Sequence, residues 1–140
     1  DRRQRQMCIR DREGSLEDLA QYRIKRAWEM LEAAKENLKI GQYKTALNRS
    51  YYAVFHAMRA ANILRGFDSS KHSGVIAFFT KEFLKTEYMD RKLSFIIKSS
   101  SLLREKSDYD DFFIASRTEA EKQVENAGLF VAEVERFINI

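Results

Sequence analysis

The sequence predicts an all-α protein, an antiparallel bundle of four or five helices. The 140 residues contain no proline and five glycines, a composition that favours long helices joined by short turns. Apolar residues recur at spacings of three and four in several long segments, and no alternating run of β-branched residues indicates a sheet. A single domain of this length buries about two thirds of the surface that its unfolded chain exposes.

The chain is predicted to begin with a basic tail, residues 1–14, followed by one bundle domain, residues 15–140. The tail contains little apolar material and carries Arg2, Arg3, Arg5, Arg10 and Arg12. Such a segment is either a flexible tail or a basic arm that contacts phosphates.

The first two predicted helices are long and joined by a very short turn. The first begins at Ser15, a suitable N-cap, and ends at Gly41. Its buried stripe consists of Ala20, Ile24, Ala27, Leu31, Ala34 and Leu38. The second extends from Gln42 to Arg65, and the short turn makes the two helices antiparallel neighbours.

Three further helices are predicted in the rest of the chain. One starts after a cap at Ser69 or Ser70, and the next extends from about Met89 to Glu105. Residues 107–113 form a polar and aromatic connection. A capping box at residues 116–119 opens the last helix. Its buried stripe consists of Ala120, Val124, Ala127, Val131, Val134 and Ile138.

The second helix has two faces of different character. Its apolar stripe consists of Leu47, Tyr51, Val54, Met58 and Ala61. The other face carries Arg49, Tyr52, Ala53, His56 and Ala60. Because alanines are unusual on a solvated face, we expect something to pack closely there, and a second copy of this helix would fit.

A two-fold pairing of this helix would cross near Tyr52 and Ala53. It would place Arg49 of one chain opposite His56 of the other, although within one chain they lie about 10 Å apart along the axis. The spacing fits a second interpretation equally well. In it, Arg49 is simply exposed and His56 is an interfacial histidine whose hydrogen bonds are satisfied.

The segment Asn48 to Ala57 (NRSYYAVFHA) resembles the helix of HEPN domains, whose signature is an arginine followed after four to six residues by a histidine. Two later segments, KHSGVI at 71–76 with FLKT at 83–86 and LREKSDYD at 103–110, extend the resemblance. Together they resemble the stand-alone HEPN proteins that are often encoded beside a minimal nucleotidyltransferase. The resemblance covers nearly all of residues 16–138.

The resemblance implies a homodimer in which the arginine and histidine of both chains meet in one cleft. It also implies metal-independent endoribonuclease activity, often as the toxin of a toxin–antitoxin or phage-defence system. Arg49 and His56 would be the catalytic pair, and Asn48, Ser50 and Tyr52 would support or orient them. Many active members have Asn, Asp or His where this chain has Ser50.

Metal-free RNA cleavage requires a base for the ribose 2'-OH, an acid for the leaving 5'-oxygen and positive charge on the phosphorane. A histidine near its ordinary pKa of about 6.5 can act as acid or base, and arginine stays charged. His56 and Arg49 fit these roles, with a 2',3'-cyclic phosphate as product. Further candidates for RNA-phosphate contacts are Lys71, His72 and Arg104.

The composition suggests partners and disfavours several kinds of site. A net charge of +4 is compatible with RNA. No metal or cofactor is expected, because the chain has two histidines and no carboxylate at ligand spacing on the Arg49 face. The acidic residues at 108, 110 and 111 are expected to be solvated or to pair with Arg104. The lone Cys8 and the lack of a long apolar run predict a soluble cytoplasmic protein without membrane contacts.

Two other functions fit the same residues. The first is a non-catalytic HEPN module that binds nucleotide or RNA, or docks a nucleotidyltransferase partner, in which Arg49 only positions a phosphate or contacts a second copy. The second is an inert structural bundle. A nucleotidyltransferase antitoxin is a possible partner under the toxin hypothesis.

Overall fold

The computed structural model describes residues 13–139, which form five α-helices with short connections and no strand. The helices are α1 (Glu13–Lys39), α2 (Tyr43–Ile63), α3 (His72–Phe79), α4 (Leu93–Tyr109) and α5 (Arg117–Ile138). A π-helical turn, Thr80–Leu84, continues α3. The predicted helical bundle is therefore confirmed. The predicted basic tail lies outside the described residues, except for positions 13 and 14, which already belong to α1.

The helix α2 lies at the centre of the bundle and contacts all four other α-helices. Its predicted apolar stripe is buried. Ala53 and Ala60 are also completely buried, within their own chain. The prediction that these alanines pack against a second copy is therefore wrong. A central helix has neighbours on most sides, and small residues let those neighbours approach closely.

The helices α1 and α2 are antiparallel, as the short turn between them predicts. Arg23 donates a hydrogen bond to the carbonyl oxygen of Arg59 (3.3 Å), and Arg49 contacts Met30 further along, so the two helices run in opposite directions. Gly41 has a φ of +79°, a left-handed conformation that glycine adopts without a Cβ penalty. This turn fixes the way α1 flanks the exposed side of α2.

Several helix ends differ from the prediction. Helix α1 begins at Glu13, so that Ser15 lies inside its first turn instead of capping it. The N-cap of α3 is Lys71, and no side chain caps this helix. Ser69 instead accepts a hydrogen bond from the Lys71 backbone N–H (3.1 Å). Polar residues near a helix start therefore indicated its position to within a few residues.

Helix α4 begins at Leu93 and ends at Tyr109, about four residues later at each end than predicted. The delay at its start follows from a turn in which Glu87 has a φ of +63° and the Asp90 carboxylate accepts a hydrogen bond from the Lys92 N–H (2.9 Å). The later end places Asp108 on the helix. Among the described helices, none has a segment long and apolar enough to cross a bilayer.

Candidate functional site

One side of α2 stays in contact with solvent. Between residues 46 and 63, the residues of this helix that are not buried are Asn48, Arg49, Tyr52, His56 and Arg59. Their spacings of three and four place them on one side of the helix, and we call them the α2 stripe. Arg49 and His56 therefore face the same surface, about 10 Å apart along the helix axis.

Arg49 is half-buried at one end of the α2 stripe. Its guanidinium group contacts the Sδ atom of Met30 at 3.7 Å. No carboxylate of residues 13–139 lies within ion-pair distance of it. It lines a shallow cavity of about 350 Å³ together with Lys44, Asn48 and Asp108, whose carboxylate pairs with Arg104. A charged arginine in such a concavity is available to bind an anion with the geometry of phosphate.

His56 is half-buried near the other end of the α2 stripe. Burial lowers its pKa to about 4, with further contributions from the positive charges of Arg26, Arg59 and Arg23. The imidazole is therefore neutral at pH 7, which corrects the expectation of a pKa near 6.5. A neutral imidazole is ready to accept a proton, whereas it can donate one only after a nearby negative charge has raised its pKa.

A carboxylate holds two of these arginines in place. Asp68 accepts ion pairs from Arg23 (3.1 Å) and Arg59 (2.8 Å). Burial alone would raise the pKa of Asp68, but hydrogen bonds from Arg59 and Arg23 lower it, so the carboxylate stays ionised. Sequence reasoning missed this group. Arg59 could have been found, because it lies three residues after His56 and thus on the same side of α2.

A second histidine, His72, lies in an aromatic cluster at the start of α3. Its ring stacks on Phe55 at 4.4 Å, and its Nδ1 atom is 2.7 Å from the Tyr51 hydroxyl. Burial raises the pKa of Tyr51 to about 12, and burial and Arg104 lower the pKa of His72. Both groups are therefore neutral at pH 7. One hydrogen bond joins the two groups, and the tautomer of His72 decides which of them donates.

The three predicted phosphate contacts separate into two places. Arg104 lies over the Tyr51 ring at 4.8 Å, close to His72. It also pairs with Asp108 at 3.6 Å, which confirms one interpretation of the acidic residues. Lys71 is exposed in a different cavity, beside Asp68. His72 is neutral at pH 7 and therefore offers a phosphate no positive charge.

The three residues predicted to support the catalytic pair also differ in position. Asn48 and Tyr52 belong to the α2 stripe, and the Tyr52 ring lies between the two histidines, 6.4 Å from His56 and 5.8 Å from His72. Ser50 is completely buried. Its Oγ atom has no hydrogen-bond partner in the described part of the chain. Ser50 therefore does not reach the surface that carries Arg49.

Residues 13–139 contain no group of three or more His, Cys, Asp or Glu side chains arranged to hold a metal ion.

Comparisons with known proteins identify the family to which this bundle belongs. The profile of the HEPN domain family matches residues 20–137. A UPF0332 protein of Thermotoga maritima is 32% identical over 122 residues, which cover 87% of this chain and 92% of that protein. A Methanocaldococcus jannaschii protein named as a putative toxin is 30% identical over 115 residues, 82% of this chain and 78% of that protein. The chain therefore belongs to the HEPN domain family, as its motifs predicted.

A solved structure has the same fold. The crystal structure of TT1696 from Thermus thermophilus superposes with a TM-score of 0.71 and covers 84% of this chain and 97% of that one. At 22% sequence identity, this likeness supports the arrangement of helices and no finer conclusion.

Proposed function

We propose that this protein is a metal-independent endoribonuclease of HEPN type that acts as the toxin of a toxin–antitoxin or defence system. The observation that carries the proposal is the α2 stripe. It places an arginine that has no carboxylate partner among residues 13–139 on the same open side of a helix as a neutral histidine. Membership of the HEPN family and the name of the Methanocaldococcus jannaschii relative support the role of toxin.

The proposed reaction uses the neutral state of His56. The imidazole removes the proton of a ribose 2'-OH, the 2'-oxygen attacks the phosphorus, and the bond to the 5'-oxygen breaks. The imidazolium then returns that proton, through a water molecule, to the leaving 5'-oxygen. Arg49 balances the charge on the phosphorane oxygens. The products are a 2',3'-cyclic phosphate and a free 5'-hydroxyl.

The RNA itself supplies the charge that this cycle requires. Burial and the arginines around His56 disfavour a proton on the imidazole in the free protein. A bound phosphodiester reverses part of this effect, because its negative charge favours the imidazolium form. We therefore propose that the pKa of His56 rises when RNA binds, so that the imidazole can hold the proton of the 2'-OH before it passes to the 5'-oxygen.

The proposed site needs two copies of the chain. Within one chain, Arg49 and His56 are separated by about two turns of helix, too far to act on one phosphate together. An antiparallel pairing of two α2 stripes across a two-fold axis near Tyr52 would bring Arg49 of one copy opposite His56 of the other. The same spacing also allows an alternative, an exposed Arg49 and an interfacial His56 whose hydrogen bonds are satisfied. In that case the two side chains would lie in separate environments.

Exposed apolar side chains beside the α2 stripe support this pairing. Tyr109, Phe112 and Ile114 are 78%, 93% and 86% exposed. Ile114 lines a cavity with Tyr43 and Lys44 at the start of α2. Large apolar side chains that cluster in contact with solvent mark surfaces that bind another protein. We propose that they border the contact between the two copies.

RNA cleavage by the purified protein tests the proposal directly. Incubation with mixed RNA in the presence of EDTA compares the wild type with Arg49→Ala and His56→Ala. Arg136→Ala is the matched control, since Arg136 is an exposed arginine on α5. We expect cleavage by the wild type and the control, and a loss of about 10²-fold or more in both stripe variants.

Two outcomes would overturn the nuclease proposal. Full activity in either stripe variant would mean that the reaction occurs elsewhere. RNA binding without cleavage by any form would support the alternative, a non-catalytic module. The oligomeric state of each variant, measured by light scattering, shows whether a loss of activity follows from a loss of the dimer.

Mixing the two inactive variants tests whether the site is composite. A dimer of one Arg49→Ala chain and one His56→Ala chain retains one intact pair only if arginine and histidine come from different chains. An equal mixture that exchanges subunits should then recover about a quarter of wild-type activity. No recovery despite demonstrated exchange would place both side chains of one site on the same chain.

The partner that we propose for the toxin is a minimal nucleotidyltransferase acting as antitoxin. Induction of the protein in cells should arrest growth, and co-expression of such a neighbour should relieve the arrest. Because the proposed substrate is RNA, the cytoplasmic location predicted from the sequence fits this role. Growth arrest by the His56→Ala variant would argue that toxicity does not come from RNA cleavage.

A further inference from the structure

A cavity of about 300 Å³ lies beside the α2 stripe, where α2, α3 and α4 meet. Its walls include Tyr51, His72, Ile76, Ser101, Arg104 and Glu105. The three segments that carry the family resemblance are far apart in sequence, and each contributes to this cavity. We infer that it binds a guanine base of the RNA, with Glu105 as the residue that selects guanine. The inference rests on the proposed nuclease function and names the base that the nuclease prefers.

The cavity offers both donors and acceptors of hydrogen bonds. When the Tyr51 hydroxyl donates to Nδ1, His72 carries its proton on Nε2 and can donate it to a ligand. Ser101 has a buried Oγ atom without a hydrogen-bond partner among residues 13–139. A buried hydroxyl in that state is destabilising unless a ligand or water satisfies it. Ile76 supplies apolar surface for the plane of a base.

The charged groups of the cavity have opposite signs. The Arg104 guanidinium lies over the Tyr51 ring and donates hydrogen bonds only. The Glu105 side chain is exposed and forms no ion pair within the described part of the chain. It lies close enough to Tyr51 for its negative charge to help raise the pKa of the hydroxyl, after the larger effect of burial. A carboxylate and a guanidinium therefore border the same small space.

Guanine is the base that matches this set of groups. Its Watson–Crick edge presents two adjacent N–H donors, at N1 and at the 2-amino group, and one carboxylate can accept both. Its O6 and N7 atoms accept hydrogen bonds from groups such as Arg104 and His72. Cytosine offers a single amino donor to Glu105. Uracil has a single N–H donor, at N3, between two carbonyl acceptors, so it also offers Glu105 only one hydrogen bond.

The position of the cavity connects base recognition with the α2 stripe. The Tyr52 ring contacts His56 of the stripe and His72 of the cavity wall. Single-stranded RNA exposes its bases and its phosphates on different sides of the strand. A strand whose phosphate lies along the stripe can therefore place a neighbouring base in the cavity. Glu105 would be a specificity residue that touches substrate, without a part in the bond changes.

Binding of mononucleotides tests the inference without cleavage. Calorimetry on the full-length His56→Ala protein compares the 3'-monophosphates of guanosine, inosine, adenosine and cytidine. Inosine lacks the 2-amino group and otherwise resembles guanosine. We expect guanosine monophosphate to bind about tenfold more tightly than the inosine nucleotide. Adding Glu105→Gln should remove this difference, and adding Glu125→Gln, an exposed carboxylate on α5, should leave it unchanged.

The outcomes separate this inference from the proposed function. Equal binding of the guanosine and inosine nucleotides, preference for cytidine, or no binding of any of them would overturn the guanine site. Preference for guanosine with no RNA cleavage by the wild type would support the site and overturn the nuclease. If the wild type cleaves RNA, cuts should occur next to guanosine and decrease when inosine replaces it. Cleavage indifferent to that replacement would overturn the guanine site alone.

Discussion

Burial and three neighbouring arginines keep the imidazole of His56 neutral in the free protein. Two of them belong to α1 and one to the α2 stripe, so the effect arises from the packing of two helices. Desolvation acts in the same direction as the three positive charges. An imidazole held neutral in this way suits the removal of a proton from a ribose hydroxyl.

Acidification is expected to destabilise the fold in part through His56. In the unfolded chain the imidazole has its ordinary pKa of 6.5, whereas folding lowers it to about 4. The unfolded state therefore binds the proton first. The contribution of neutral His56 to the free energy of unfolding is therefore complete above its pKa in the unfolded chain. It is lost as the pH falls toward its pKa in the folded protein. Urea unfolding at about pH 7 and about pH 5 measures this effect. Between the two pH values, the free energy of unfolding should decrease less for His56→Gln than for the wild type.

The pKa of His72 is lowered as well, so the His56→Gln variant should retain part of the pH dependence. A variant that also carries His72→Gln should lose more of it. Equal pH dependence in the wild type and His56→Gln would show that His56 titrates alike in the folded and unfolded states.

Asp68 stabilises two arginines from different helices. The Arg23 side chain is 10% exposed, and Asp68→Asn would leave its charge without an ionic partner. We expect this change to decrease the free energy of unfolding by about 1–3 kcal/mol. Glu121→Gln is the control, because the ion pair of Glu121 with Arg117 lies on the surface. Chemical denaturation should show an effect of at most about 1 kcal/mol for the control.

Arg23 also donates a hydrogen bond to the backbone of α2, and Asp68→Asn would leave it in place. Asp68→Asn could decrease the free energy of unfolding no more than Glu121→Gln does. That result would mean that this backbone contact and solvent already compensate the buried charge of Arg23.

The start of α5 depends on a local interaction that the sequence specifies. The Ser116 side chain accepts a hydrogen bond from the Glu119 N–H (3.0 Å), and the Glu119 carboxylate accepts one from the Ser116 N–H (3.3 Å). Ser116→Ala should decrease the free energy of unfolding by about 1 kcal/mol. Thr118→Ala, at an exposed position of the same turn that takes no part in the cap, is the control. Thermal unfolding of both variants measures the difference.

A cap of this kind stabilises the native state without contacting the proposed site. Ser116→Ala should therefore retain RNA cleavage at temperatures where the protein is folded. Equal stability of Ser116→Ala and Thr118→Ala would show that water replaces the cap without loss.

The helices themselves could be predicted because their pattern is local. The stripe of α1, for instance, is buried at Ile24 and Leu31 as its spacing indicates. The neighbours of a buried residue, in contrast, can lie far from it in the sequence, so a local pattern does not predict them. Ala53 and Ala60 were correctly identified as close-packing positions of α2. Their partners, however, are helices of the same chain, and periodicity cannot distinguish these from a second copy.

The region after α3 was harder to predict because its backbone is irregular. The π-helical turn at Thr80–Leu84 includes a hydrogen bond from the Lys85 N–H to the Thr80 carbonyl oxygen, five residues back (2.8 Å). The left-handed conformation of Glu87 is rare outside glycine. Phe83 and Met89 are both buried in this region, although the backbone between them follows no helical period.

The candidate site could be predicted only where its residues share one helix. Arg49, Tyr52 and His56 follow from their spacing on α2. The positions of Asp68 and Glu105 could not be predicted in this way, because they depend on how α1, α3 and α4 pack around α2. The low pKa of His56 depends on arginines of α1 for the same reason. Charge around a site is a property of the folded chain, whereas a motif is a property of the sequence.

At the scale of the whole molecule, the proposed dimer should depend on the exposed apolar side chains beside the α2 stripe. We expect the wild type to be a dimer by light scattering and the double variant Phe112→Ser, Ile114→Ser to shift toward the monomer. Both side chains are more than four fifths exposed, so folding should change by about 0.5 kcal/mol or less per position. Phe95→Ser, which removes another exposed aromatic ring on α4, is the control.

The same double variant should lose RNA cleavage, although it retains Arg49, His56 and their surroundings. This joint loss follows from the composite site, because a monomer keeps the two side chains about 10 Å apart along α2. A folded monomer that cleaves RNA at the wild-type rate would contradict the dimer and locate the whole reaction within one chain. A double variant that remains dimeric and active would move the contact between the copies away from the connection between α4 and α5.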